Sequence, residues 1–220
     1  MPISATRKAA IRAEIAEHAA RLFRLRGHAG TNIDDIMLAA GLTRGSFYAH
    51  FTSKDDLFAE IVRMGHGLLP KLRAGAADAV LDDYLDRENL IANGRGCTLA
   101  ALVGDIARAP LPARLAYANV LHAVIAELAK GRRRGLDADA TAVAVLAIGA
   151  VALARASGDT RLGDWLLRCA HRAAKSLLAP KKKPGPRRRA SPKRKRSRSR
   201  PKAAAARPSR RVARSRGGRA

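Results

Sequence analysis

Four consecutive residues, Thr43, Arg44, Gly45 and Ser46, combine two hydroxyls, one long cation and no bulky side chain. That combination suits contact with base edges in a DNA major groove. Short side chains let the backbone approach, and a guanidinium can reach the acceptors of guanine. Tyr48 and His50 follow, a phenol and an imidazole able to donate to phosphate oxygens, which docks a protein without reading sequence. Lys54 stands after Ser53 at the expected start of another helix, where free amides, dipole and ammonium together suit a phosphate. Thr31 and Asn32, at the start of the preceding helix, complete the candidate DNA contacts.

These residues need rigid elements behind them. Thr31 reads as an N-cap with Asp34 three residues on, so a helix is expected from Asn32, with Ile33, Ile36, Met37 and Ala40 on one inward face. Gly41 can end it in the left-handed conformation, Leu42 plugs the corner, and Thr43 caps a second helix through Tyr48, which Phe47 and Phe51 anchor. The pair is a helix-turn-helix. A first helix from Thr6 to Arg26 braces it with a stripe of Ile11, Ile15, His18, Leu22 and Leu25; His18 there reads as core packing rather than as a ligand. The early basic residues, Arg7, Lys8 and Arg12, suit a solvated face or a brush with phosphates equally well. From Asp55 a longer helix carries Leu57, Phe58, Ile61, Val62 and Leu68 inward and is expected to bend or end at Pro70.

The run from about Ile11 to Val62 resembles the DNA-binding domain of the TetR/AcrR family of bacterial transcriptional regulators. The resemblance rests on a first helix closing with Phe23 and Gly27, the segment Thr31 to Gly41, the run Thr-Arg-Gly-Ser-Phe-Tyr-Ala-His-Phe, and Ser53-Lys54-Asp55-Asp56-Leu57. It implies that Thr43, Arg44, Gly45 and Ser46 face bases while Tyr48, His50 and Lys54 hold phosphates. It also implies a homodimer formed through the last two helices, acting on double-stranded DNA at a palindromic operator, and a small-molecule effector among the middle helices. Relatives often have proline after the pair Gly96-Cys97, where this chain has Thr98.

The expected fold is all-α, in three parts: residues 1–53 as helix-turn-helix domain, 54–179 as helical ligand-binding and dimerisation domain, and 180–220 as a disordered basic tail. Within the second part, helices are expected over Ala77 to Ile91, from Thr98 to before Pro110, through Leu121, Val124, Ile125 and Leu128 to Gly131, over Asp137 to Arg155, and over Thr160 to Leu178, with a charged turn at 131–135. The Asp137 helix is apolar nearly all round and so is buried on several sides, either within its own bundle or against a second subunit, where Gly149 allows close approach. The last helix aligns Leu162, Trp165, Leu166, Cys169 and Leu177, making Cys169 inert packing. A pocket is expected from Leu99, Leu102, Val103, Leu121, Val124 and Ile125, with Tyr84, Asn119 and His122 as polar contacts; simple core filling is the competing reading. Cys97 follows a flexible segment beside Arg95 and reads as a passive thiol or, alternatively, as a redox or electrophile sensor.

Residues 180–220 hold 19 of the chain's 43 Lys and Arg and no Asp or Glu, so the preceding 179 residues carry 24 cations against all 18 acids, a net of +6. Such a tail cannot build a core and is expected to bind polyanions by counterion release, adding salt-sensitive affinity for any DNA. Two cysteines give neither a disulfide framework nor a zinc cluster. The apolar run from Ala140 to Ala154 is shorter than the roughly 20 residues of a membrane span, so a cytoplasmic, non-membrane protein is expected. No phosphate loop, metal-spaced cluster or nucleophile and base pair points to an enzyme or a cofactor. The reading is a ligand-responsive repressor; its rival is a nucleoid-type architectural protein dominated by the tail.

Overall fold

The computed structural model describes residues 5–65, 67–88, 96–131 and 137–179, and every regular element among them is an α-helix. Expectations for the helix end at Ile91, the break at Gly94, the arginine turn and the basic tail fall outside the described residues. The chain runs through α1 (Ala5–Arg26), α2 (Ile33–Ala39), α3 (Arg44–Phe47), α4 (Lys54–Met64), α5 (Leu68–Ala74) and α6 (Ala77–Tyr84), then α7 (Thr98–Ala101), α8 (Val103–Arg108), α9 (Leu111–Leu128), α10 (Ala138–Ala156) and α11 (Thr160–Leu178).

Two cores organise these helices. The first gathers Ile15, Phe23, Ile36, Met37, Phe47, Phe51, Leu57, Phe58 and Ile61 from α1 to α4, and is closed by Leu102, Ile106, Ala113 and Ala116 from further along the chain. Phe23 and Phe58 meet edge to face, centroids 5.2 Å apart, a favoured arrangement of aromatic quadrupoles. Helix α1 also buries Ala16, Ala19 and Ala20 in this core. This face is rotated from the expected stripe, so Leu25 is 48% exposed instead of buried. The second core is built by α5, α6, α7, α9, α10 and α11 around Leu81, Leu99, Val124, Val143, Leu167 and many alanines.

The long helix expected to reach Pro70 is two helices. Helix α4 stops at Met64 because Gly65 adopts φ +61°, a left-handed cap, and Gly67 at φ +103° turns the chain into α5. A Cβ on Gly67 would lie 2.6 Å from the Cα of Cys97, so space as well as dihedral requires glycine there. Pro70 then sits in the first turn of α5, where its missing N–H has no intrahelical partner to lose.

Helices α10 and α11 form a hairpin capped as their sequence suggests. Asp137 accepts from the Ala140 N–H, Asp159 accepts from those of Arg161 and Leu162, and Gly158 at φ +63° makes the corner. At 19 residues, α10 is longer than the apolar run suggested, and by length and composition alone it could cross a bilayer. In this fold its Ala140, Val143, Ala144, Ala147, Ile148, Ala150, Val151 and Ala154 are buried within the bundle. Helix α11 turns a different face inward from the one expected: Gly163, Leu167, Ala170 and Ala174 are buried, while Leu162, Trp165 and Cys169 are exposed. The alanines explain this, since they mesh with the small residues of α10 more closely than leucine or tryptophan could.

Candidate nucleic-acid interface

The start of α2 is shifted by one residue from the expected cap. Asn32, in extended conformation, accepts the Asp35 N–H on its side-chain oxygen at 2.7 Å and is the N-cap. Thr31 is 1% exposed, and its hydroxyl donates to the Gly27 carbonyl at 2.9 Å. It closes the loop from α1, and its side chain faces the interior while Asn32 is exposed. Gly41 adopts φ +68° and the Leu42 N–H returns to the Met37 carbonyl at 2.8 Å, which fixes the corner of the helix-turn-helix.

Helix α3 is only four residues long, extended by turns that end with the Phe51 N–H on the Phe47 carbonyl at 3.0 Å. Thr43 is its N-cap by backbone conformation, but its hydroxyl makes no capping bond; its carbonyl instead accepts from the Ser46 N–H and hydroxyl, at 3.1 and 2.7 Å. Thr43, Arg44 and Gly45 are exposed together on this helix, and Ser46 is half-buried beside them. Phe47 and Phe51 are buried beneath, their rings 5.7 Å apart, and Tyr48 leans edge-on against Phe47 while remaining 57% exposed. The anchors and the outward run thus fall where their chemistry predicts.

Arg12 of α1 fixes the far end of this segment, a role invisible in the sequence. Its Nη1 donates to the His50 carbonyl, its Nε donates to Glu60 Oε1 at 3.1 Å, its Nη2 pairs with Glu60 Oε2, and its guanidinium lies 4.0 Å from the centroid of the Phe51 ring. One side chain therefore joins α1, the end of the segment that follows α3, and α4. His50 is half-buried, with its Nδ1 enclosed and without a hydrogen-bond partner among the described residues. Burial, followed by the charges of Lys8 and Arg12, lowers its pKa, so the ring is neutral at pH 7.

Lys54 is occupied differently from a free phosphate clamp. Its Nζ donates to the carbonyls of His28 and Thr31, both at 2.9 Å, tying the α1–α2 loop to the start of α4. The third N–H of the ammonium remains at the N-terminus of α4. Ser53 caps that helix by accepting the Asp56 N–H, while Asp56 accepts from Thr52 N–H and hydroxyl, each at 3.1 Å. His28 packs against the rings of both Phe23 and Phe58; burial first, then Lys54, lowers its pKa against the opposing pull of Asp55 and Asp105.

The four residues expected to mark an effector pocket do not come together. Leu102 belongs to the first core and Tyr84 to the second, whereas Asn119 and His122 are exposed on α9. Tyr84 is 4% exposed, its hydroxyl has no partner among the described residues beyond the neighbouring Cys97 thiol, and burial followed by Cys97 pushes its pKa well up. Cys97 is buried against Gly67 and immediately precedes Thr98, whose hydroxyl accepts from Arg24 of α1 at 3.3 Å.

Residues 15–61 match the family of bacterial regulatory proteins described as the tetR family. Among curated relatives, the transcriptional regulator AcrR of Shigella flexneri is 41% identical over 61 residues, covering 28% of each chain. The transcriptional repressor KstR2 of Rhodococcus jostii is 45% identical over 56 residues, covering 26% of this chain and 28% of that one. The matched segments thus span less than a third of these relatives' own length. The fold of the reduced form of Escherichia coli NemR superposes with a TM-score of 0.61 at 21% identity, over 76% of this chain and 96% of that one.

Proposed function

We propose that this chain is a sequence-specific DNA-binding transcriptional regulator that works in the cytoplasm as a homodimeric, ligand-responsive repressor. The observation that carries the reading is the outward run Thr43 to Ser46 on a helix held from below by Phe47 and Phe51 and from the side by Arg12, within a segment of the tetR family. Thr43, Arg44, Gly45 and Ser46 read bases; Asn32, Tyr48, His50 and Lys54 dock the backbone. Thr31, with its hydroxyl on Gly27, contributes by shaping the loop beneath them. Residues 1–53 are the reading head, 54–179 sense and dimerise, and 180–220 add generic affinity for DNA.

The unpartnered apolar face of the last two helices supports dimerisation. Val145 and Leu153 of α10 are 64% and 59% exposed, and Leu162 and Trp165 of α11 are 46% and 55% exposed. Between them Gly149 faces open space, leaving room for another helix to approach. A two-fold pair reads half-sites about one DNA turn apart. For the effector, the support is the buried Tyr84 hydroxyl, which has only the weakly bonding Cys97 thiol beside it among the described residues and to which a small molecule could offer a stronger partner.

The test is binding of the full chain, and of residues 1–179, to the DNA upstream of its own gene and to a shuffled duplex, by anisotropy at near-physiological salt with competitor. A preference of about a thousandfold or more is expected of a specific regulator. Equal, weak binding by residues 1–179 together with tight, unselective binding by the full chain would replace this reading with that of an architectural protein.

A further inference from the structure

Two adjacent carboxylates stand in the first turn of α2, beside the run expected to meet the most anionic of ligands. They turn in different directions. Asp35 lies 3.6 Å from Arg26 Nη1 of α1, on the side away from the reading helix. Asp34 Oδ2 is 2.5 Å from Nη1 of Arg44, across the corner of the helix-turn-helix, and both of those side chains are more than half exposed. We infer that Asp34 is a positioning residue that sets the base selectivity of Arg44; the inference rests on the proposed role of Arg44 as a base reader.

A free arginine at a protein surface samples many rotamers, and the loss of that freedom opposes any contact it makes with DNA. Held by Asp34 through Nη1, the guanidinium is already ordered before DNA arrives, and its Nε and Nη2 edge is left to donate to guanine N7 and O6. The pairing also shifts the balance between kinds of DNA. A phosphate attracts Arg44 through net charge, which the carboxylate largely cancels, whereas guanine offers directed acceptors that need no net charge. Asp34 therefore weakens sequence-independent attachment at this point and preserves the directional contact. Because only one N–H group is engaged and the pair is solvent-exposed, the guanidinium can turn within its plane without leaving its partner.

The experiment is selection from a randomised duplex library by the full-length chain at fixed salt with competitor, using wild type, Asp34→Asn, Arg44→Ala and the double variant, each checked for helicity and thermal melting. Arg44→Ala is expected to abolish a guanine preference at one position of each half-site. Asp34→Asn is expected to reduce preference at that same position by about three- to tenfold, a sizeable part of what one bidentate contact supplies, while other positions stay unchanged and the double variant matches Arg44→Ala. Asp34→Glu, which restores the carboxylate, is expected to recover part of the loss. Should Asp34→Asn fail to fold, Asp34→Ser, with a hydroxyl at the helix start, serves in its place. Loss of preference in Arg44→Ala but none in Asp34→Asn would overturn the inference and leave the reading head as proposed. Stronger binding to every sequence with unchanged preferences would overturn it in favour of simple charge repulsion. No change in Arg44→Ala would remove the base-reading role and the inference with it.

Discussion

The N-terminal core holds all four phenylalanines of the chain, whereas the C-terminal core, apart from Tyr84, is built of leucine, valine and a large share of alanine. A ring has few rotamers and a fixed outline, so Phe23, Phe47, Phe51 and Phe58 interlock at defined angles and leave the run Thr43 to Ser46 little freedom to tilt. The proposed base readout would need placement to a fraction of an ångström, which such packing favours. Alanine faces on α10 and α11 instead bring helices close with shallow ridges, a geometry compatible with the small sliding of packed helices by which domains shift. The larger side chains of those two helices, Val145, Leu153, Leu162 and Trp165, remain outside. One core turns its bulk inward and holds a shape, and the other leaves bulk at the surface, where the proposed partner would dock.

The sharpest way to break that contrast is Phe58→Ala. Removal of a fully buried ring meeting both Phe23 and His28 is expected to cost about 3–5 kcal/mol, read as a fall in urea midpoint with loss of DNA binding. A cost under about 1 kcal/mol would show that the aromatic core collapses freely and that its rigidity is overstated. For the outward bulk, Trp165→Asp should leave the fold intact and weaken self-association by about 2–4 kcal/mol, the range of an aromatic hot spot, so that sedimentation at micromolar concentration finds monomers. An unchanged dimer would move the interface away from α10 and α11.

Arg12→Ala probes how far the reading helix depends on a distant staple. The side chain is partly exposed, so the loss of its bonds to Glu60 and to the His50 carbonyl should destabilise by about 1–2 kcal/mol, with operator affinity falling further than the melting temperature implies. The smallest effect is one of pH. His28 has a pKa lowered below its ordinary 6.5 in the folded protein, so the unfolded chain binds a proton first as pH falls. Stability is therefore full above about pH 6.5 and declines below it, and His28→Gln should flatten that decline in melts between pH 7.5 and 5.5.

Much of the site was legible in the sequence because it is written in local rules. The left-handed Gly41, the burial of Phe47 and Phe51, and the cap at Ser53 each depend on residues within a turn or two. Where a local signal was ambiguous it misled by little: Thr31 and Asn32 are both capping residues, and the demand of the Gly27 carbonyl decided which of them turned inward. The same applies to Pro70, whose power to end a helix was pre-empted by the backbone of Gly65 and Gly67 a few residues earlier.

By itself, the sequence determined the helices, their corners and the outward placement of the run from Thr43, since periodicity, caps and glycine dihedrals act between near neighbours. Tertiary structure alone decided what the long side chains do. Arg12 finds its partners 38 and 48 residues away, Lys54 is drawn onto two loop carbonyls rather than left free, Asp34 turns toward Arg44 while Asp35 turns toward Arg26, and α11 buries its alanines rather than its tryptophan. A flexible charged side chain carries no periodic signal and takes whatever acceptor the fold brings within reach. The buried face of a helix follows the shape of its neighbour as well as its own hydrophobicity.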